Sequence, residues 1–176
     1  MSLALLLLFA LPAADDVTSG PQVGATVPGQ FLTVPINGPD AGEETCLYCK
    51  YGNAPVVMVF APKPSEELAK LVRALEAAFG KAPEECTVCA IVTDPSAATR
   101  RELGKWADEA NLKRIVVAVV DPSRVKDYEL NAAAGATVIL YSRKVVRLNE
   151  AFKPGALDEK SVERIVAEAK KHLGAK

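Results

Sequence analysis

The chain of 176 residues has few of the side chains on which many active sites depend. It contains a single histidine, His172, and only 6% of its residues are aromatic. The sequence therefore does not indicate a Ser–His or Cys–His catalytic arrangement. Lys and Arg number 21 against 22 Asp and Glu, so we predict neither a basic surface for nucleic acid nor one for anionic lipid.

Also lacking is an apolar run long enough to cross a bilayer, which takes about 20 residues. The longest run, Leu3 to Leu11, is followed by Pro12-Ala13-Ala14 and then by two aspartates. A short apolar run before small residues is typical of a secretory signal peptide. We predict that residues 1–14 are cleaved, that no membrane span remains afterwards, and that the protein is periplasmic or secreted. An uncleaved apolar anchor is the alternative.

After this segment the pattern predicts one α/β domain over residues 24–174, preceded by a flexible, exposed lead-in over 15–23 that is rich in Gly, Pro, Ser and Thr. Apolar runs and helical periodicity alternate along the domain. The predicted elements are strands at 31–36, 56–60, 87–93 and 115–120, helices at 65–80, 97–110 and 158–174, and a hairpin of 137–141 with 145–148. This order predicts a mostly parallel central sheet with an antiparallel C-terminal hairpin and helices on both faces.

Two stretches resemble a known superfamily. Gly24-Ala25-Thr26-Val27-Pro28-Gly29-Gln30-Phe31 looks like the G-x-x-x-P-x-x-F opening of the peroxiredoxin and TlpA-like branch of the thioredoxin-like proteins. Ala136-Thr137-Val138-Ile139-Leu140-Tyr141, followed by Lys144-Val145-Val146, is similar to the last hairpin of that family. The resemblance implies a thioredoxin-like fold over residues 24–174.

The residues that carry the family's chemistry are absent from their usual place. In thioredoxin-like enzymes the redox cysteine follows the central strand and opens the next helix. Here that stretch, Phe60 to Leu68, contains no cysteine, and Ser65 is expected only to cap the helix. Ala136 occupies the position of the family's cis-proline, and we expect a trans bond because a cis bond without proline costs about 2.5–4 kcal/mol.

The cysteines form two C-x-x-C pairs, Cys46/Cys49 and Cys86/Cys89. The first pair precedes the central strand in a predicted loop, and the second begins the neighbouring strand. Parallel neighbours start at the same edge of a sheet, so we expect both pairs at the edge opposite the family's usual site. In an exported protein such thiols are oxidised or bound to metal.

Three roles remain open for these cysteines, beside free thiols with no joint role. The leading prediction is thiol–disulfide exchange with another protein at catalytic Cys46 and Cys49, aided by Lys50 but without a helix behind the pair, because residues 53–55 leave no room for one. The second is structural disulfides, where a Cys46–Cys86 link would contribute roughly 4 kcal/mol against about 2 for a local one. The third is a zinc site of all four cysteines, Cys46, Cys49, Cys86 and Cys89. The last two belong to a non-catalytic binding or scaffold protein, and only the third needs a cofactor.

Overall fold

The computed structural model of the protein describes residues 17–51, 53–79 and 87–173. These residues form six strands, four α-helices and one 3-10 helix. In chain order they are β1 (Val34–Pro35), α1 (Leu47–Tyr51), β2 (Val56–Ala61), α2 (Glu66–Phe79), β3 (Thr87–Val92), α3 (Ala97–Glu109), β4 (Ile115–Val119), the 3-10 helix (Pro122–Tyr128), β5 (Ala136–Ser142), β6 (Val145–Phe152) and α4 (Glu159–Leu173).

The six strands form one sheet in the order β1-β4-β3-β2-β5-β6. The pairings of β2 with β3 and of β3 with β4 are parallel, and the other three are antiparallel. The α/β class, the short edge strand and the C-terminal hairpin are confirmed. The sheet is mixed rather than purely parallel, because the edge strand β1 and strand β5 of the hairpin run antiparallel to the central strands beside them.

Both faces of the sheet are covered, but by unequal layers. Alternate residues of β2, such as Val57 and Val59, pack with α2, α3 and α4 in the larger core. Met58 and Phe60 point to the opposite face, where α1, the 3-10 helix and the N-terminal segment (residues 17–33) form the second core. Two successive right-handed crossovers in one direction place α2 and α3 on the same face. Helices therefore lie on both faces as expected, with the three long ones together.

The long helices begin where the capping residues indicate. Ser65 Oγ accepts the N–H of Leu68 at 3.1 Å at the start of α2, which confirms Ser65 as a helix cap. Ser96 and Asp158 serve α3 and α4 in the same way. Such a cap satisfies one of the backbone donors that the first turn of a helix leaves unpaired. The sequence pattern gave no sign of α1 or of the 3-10 helix.

The lead-in differs from its expected exposure. Ser19 and Gly20 are buried, and Ser19 Oγ lies 2.7 Å from Thr137 Oγ1 on β5. The side-chain amide of Asn149 donates to the carbonyl of Ser19 at 2.9 Å, so this stretch is attached to the hairpin. The predicted signal peptide, residues 1–14, lies outside the described residues.

Glu76 joins α2 to the start of β4. Its carboxylate accepts the backbone N–H groups of Lys113, Arg114 and Ile115 at 3.1, 3.1 and 2.9 Å. These donors precede or begin an inner strand and would lose their partner if the carboxylate were removed. The contact therefore fixes the loop between α3 and β4.

We expect Glu76→Ala to lower the free energy of unfolding by about 1–3 kcal/mol, because backbone donors left without a partner are costly. Glu76→Gln keeps one acceptor oxygen and should lose less. Urea unfolding measures both changes, with Glu163→Ala on the exposed side of α4 as the control. A loss no larger than that of the control would contradict this role for Glu76.

Candidate disulfide site

The first cysteine pair lies at the start of α1. Cys46 and Cys49 form a disulfide, with their Cα atoms 5.2 Å apart. The backbone N–H of Cys49 donates to Cys46 Sγ at 3.1 Å. The expectation of a loop with no room for a helix is wrong, because the five residues of α1 fit before the turn that leads into β2.

Apolar contacts hold α1 against the second core. Leu47 is 1% exposed, and Tyr48 and Tyr51 pack against the same cluster. On the outer side, Lys144 Nζ lies 5.9 Å from the ring centroid of Tyr48. The N–H of Arg143, in the turn between β5 and β6, donates to the carbonyl of Asn53 at 3.1 Å. The helix thus sits where β2 begins, at the amino edge of the parallel strands.

The N-terminal segment supports the pair from a second direction. Thr33 and Thr45 exchange both backbone hydrogen bonds, at 2.9 and 2.8 Å, one residue before Cys46. Three residues before Thr33, the side-chain oxygen Oε1 of Gln30 lies 3.7 Å from Cys49 Sγ. The disulfide therefore lies where the N-terminal segment and the start of α1 are joined by hydrogen bonds.

Lys50 has a partner other than the sulfur atoms. Its ammonium forms an ion pair with the carboxylate of Asp40, in the turn before α1. The positive charge of Lys50, which we expected to stabilise a thiolate, is therefore partly neutralised by this carboxylate. The contact to a thiolate that the structure does offer is the N–H of Cys49.

Cys89 is separated from this pair by burial. It is the third residue of β3, pairs in register with Met58, and is fully buried in the second core. Burial raises the pKa of its thiol to about 12, because the core disfavours the thiolate. It forms no disulfide in the described part of the chain. Its predicted neighbour Cys86 lies outside the described residues.

These positions decide part of the predicted cysteine chemistry. A Cys46–Cys86 cross-link is excluded in this state because Cys46 is bonded to Cys49. Within the three described ranges, no group of three His, Cys, Asp or Glu side chains could hold a metal ion. The four-cysteine zinc site includes Cys86 and stays a prediction.

A pair of clefts lies at the carboxyl end of β2, which is where thioredoxin-like enzymes carry their redox cysteine. Ser65 caps α2, and the bond before Ala136 is trans. Two neighbouring cavities of about 410 and 520 Å³ open here, and Pro62 and Ala132 line both. The sequence did not predict these cavities, because their walls come from the 3-10 helix, the start of β5 and the end of β6, which are separate along the chain.

The sheet order and the placement of the helices define a thioredoxin-like fold. Solved structures with this fold include a thiol peroxidase from Chromobacterium violaceum (15% identity, 89% of this chain and 90% of that one, TM-score 0.59). Others are the peroxidoxin BcpB of Mycobacterium tuberculosis (16%, 85% and 96%, 0.61) and a secreted M. tuberculosis disulfide oxidoreductase homologous to E. coli DsbE (14%, 79% and 96%, 0.59). At such identities the likeness concerns the fold alone.

The sequence itself matches no protein-family model, and no curated protein sequence is significantly similar to it. None of the helices in residues 17–51, 53–79 and 87–173 is long and apolar enough to cross a membrane.

The different surroundings of the cysteines lead to a prediction for alkylation. After mild reduction at pH 8, iodoacetamide should modify Cys46 and Cys49 in the native protein and leave Cys89 unmodified. A thiol with a pKa near 12 carries almost no thiolate at pH 8, and the core also blocks the reagent. Peptide mapping by mass spectrometry locates the labels, and denatured protein serves as the control. Equal labelling of Cys89 and Cys49 in the native state would contradict this assignment.

Proposed function

We propose that the protein is an exported thiol–disulfide oxidoreductase that acts through Cys46 and Cys49. The observation that carries the proposal is the local disulfide at the start of α1, with the N–H of Cys49 directed at Cys46 Sγ. One partially exposed and one exposed cysteine in this arrangement are accessible to the thiols of another protein.

The small size of the ring supports reversible use rather than a structural role. Closing a loop of four residues stabilises the fold by about 2 kcal/mol in the chain-entropy model. Leu47, Tyr48 and the Thr33–Thr45 pair already hold α1 in place without the disulfide. Reduction should therefore leave the fold intact, as a catalytic cycle requires.

The hydrogen bond from the N–H of Cys49 to Cys46 Sγ supports different roles for the two sulfur atoms. In the reduced protein the N–H of Cys49 stabilises a thiolate on Cys46, which attacks one sulfur of a substrate disulfide and releases the other as a thiolate. Cys49 then loses its proton and attacks Cys46 Sγ, which forms the ring and releases the second substrate thiolate. Two electrons pass from the dithiol to the substrate, and its two thiolates take up two protons.

Export is supported by the apolar stretch from Leu3 to Leu11 and the small residues after it. One protein of similar fold is described as secreted. A compartment without a reducing glutathione pool would keep the Cys46–Cys49 disulfide formed until the thiols of a partner protein reduce it by exchange and regenerate the dithiol. Cell fractionation and N-terminal sequencing of the mature protein test this part, and intact protein in the cytosol would contradict it.

Insulin reduction with dithiothreitol tests the exchange activity. We expect the wild type to accelerate insulin precipitation and Cys46→Ser to reduce the rate to that of dithiothreitol alone, since it lacks the attacking thiolate. Cys89→Ala is the matched control: it removes a cysteine from the core and should keep the activity if it folds. Equal rates for the wild type and Cys46→Ser would refute the proposal.

The order of the two sulfur atoms has its own test. Cys49→Ser should complete the first attack but not the ring closure, so it accumulates a mixed disulfide on Cys46. Mass spectrometry of non-reduced protein incubated with a peptide disulfide should locate that adduct. An adduct on Cys49 in Cys46→Ser of equal yield and rate would contradict this order.

A non-catalytic binding role is the second candidate, and the pair of clefts at the carboxyl edge favours it. Their walls are mainly apolar side chains, such as Phe60, Val125 and Leu130 around the smaller opening between β2 and the 3-10 helix. If the insulin assay shows no activity that depends on Cys46, this edge is where a ligand should be sought.

A further inference from the structure

Gln30 is a polar side chain that approaches the disulfide from outside α1. Its Oε1 atom lies 3.7 Å from Cys49 Sγ, within the range of a sulfur hydrogen bond. In the disulfide neither atom carries a hydrogen to share. Once the pair is reduced, Cys49 gains an S–H group beside this carbonyl, and a thiol is a donor, although a weak one.

The backbone on both sides of Gln30 is fixed. The hydroxyl of Tyr128 donates to the carbonyl of Gly29 at 3.0 Å. On the other side, the Phe31 ring is 5% exposed and lies 5.1 Å from the ring of Tyr128, centroid to centroid. Two residues later Thr33 pairs with Thr45. Gln30 is thus an exposed side chain on an anchored backbone, opposite the second cysteine.

We propose that Gln30 is a positioning residue for the exchange reaction, whose side-chain carbonyl accepts the S–H of reduced Cys49 and keeps the proton there. This inference rests on the proposed function. Hydrogen bonding to the neutral form of an acid favours that form. The N–H of Cys49 favours a thiolate on Cys46, and the side-chain carbonyl of Gln30 keeps the proton on Cys49.

The effect of Gln30 on the ionisation of Cys49 can be measured separately from the effect of charged groups. Of the chain neighbours of Cys49, Lys50 is paired with Asp40, and Tyr48 lies under the ammonium of Lys144. Residues 17–33 contain no charged side chain, so the N-terminal segment brings no charge to the sulfur. Substitutions at residue 30 leave all the other groups in place.

The role of Gln30 in ring closure follows from the same contact. Cys49 attacks the mixed disulfide only as a thiolate, so the proton must leave before the ring forms. The amide accepts the S–H hydrogen bond but is not a base, and the proton passes to solvent. Gln30 should therefore slow the closure and have little influence on the first attack by Cys46.

Alkylation of Cys49 in a Cys46→Ser background tests the contact directly. With Gln30→Ala we expect the rate at pH 7 to rise about two- to fivefold, since one weak hydrogen bond to the thiol is lost. Gln30→Glu should lower it by a similar factor, because a carboxylate is a stronger acceptor and also repels a thiolate. The half-maximal pH of the reaction should move down in the first variant and up in the second.

Gln22→Glu is the matched control, since Gln22 is exposed on the same uncharged segment and donates to Gly20 instead. It should leave the pH profile of Cys49 alkylation unchanged. With Cys46 present, the reaction of the reduced protein with dithiodipyridine separates the two steps. The first thiopyridone is released when Cys46 attacks the reagent, and the second when Cys49 closes the ring. The variants of Gln30 should change the rate of the second release and leave the rate of the first unchanged.

The outcomes distinguish this inference from the proposed function. Alkylation profiles of Cys49 that are identical for Ala, Gln and Glu at residue 30, in a protein that reduces insulin, would overturn the inference alone. A change in the first phase instead of the second would overturn it as well. If the alkylation series holds but insulin is not reduced, the contact stands and the proposed function fails.

Discussion

The structure depends on the complete burial of the central strands. Every residue of β2 and β3 is buried, so both faces of the sheet must be covered. The crossover connections supply long helices to one face only, because successive right-handed crossovers in one direction stay on one side. The second face is left to shorter pieces of chain, which are the N-terminal segment, α1 and the 3-10 helix. The position of the cysteine pair follows from this requirement, since α1 is one of those pieces.

This arrangement separates the disulfide from the place where the thioredoxin-like fold usually carries its cysteine. The carboxyl end of β2 leads into Pro62, Lys63 and a capping serine, and apolar clefts open there. The disulfide lies at the opposite edge, on a helix of five residues. Such a short helix contributes little dipole, and a different group lies beside each sulfur atom. The backbone N–H of Cys49 donates to Cys46 Sγ, and the side-chain carbonyl of Gln30 lies 3.7 Å from Cys49 Sγ.

Much of the fold could be predicted because its signals are local. Ser65 and the apolar stripe from Leu68 to Phe79 define α2 within one stretch of sequence, and the continuous apolar runs define β2 and β3. The helix α1 could not be predicted in the same way, because Leu47, Tyr48 and Tyr51 hold it through apolar contacts with residues that lie far along the chain. The burial of Ser19 has the same origin: its partner Thr137 is 118 residues away. The clefts likewise could not be predicted, because the segments that line them are far apart in the sequence.

The sequence by itself determined the α/β class, the C-x-x-C spacing of Cys46 and Cys49, and the lack of a cysteine after the central strand. These are properties of neighbouring residues, and capping, periodicity and ring size act over a few positions. Only the tertiary structure decided that Cys46 pairs with Cys49, that Cys89 is enclosed in the core, and that Gln30 faces Cys49. The physical reason is that pairing and burial depend on which distant segments the packed sheet brings into contact, and those contacts exist only once both faces are covered.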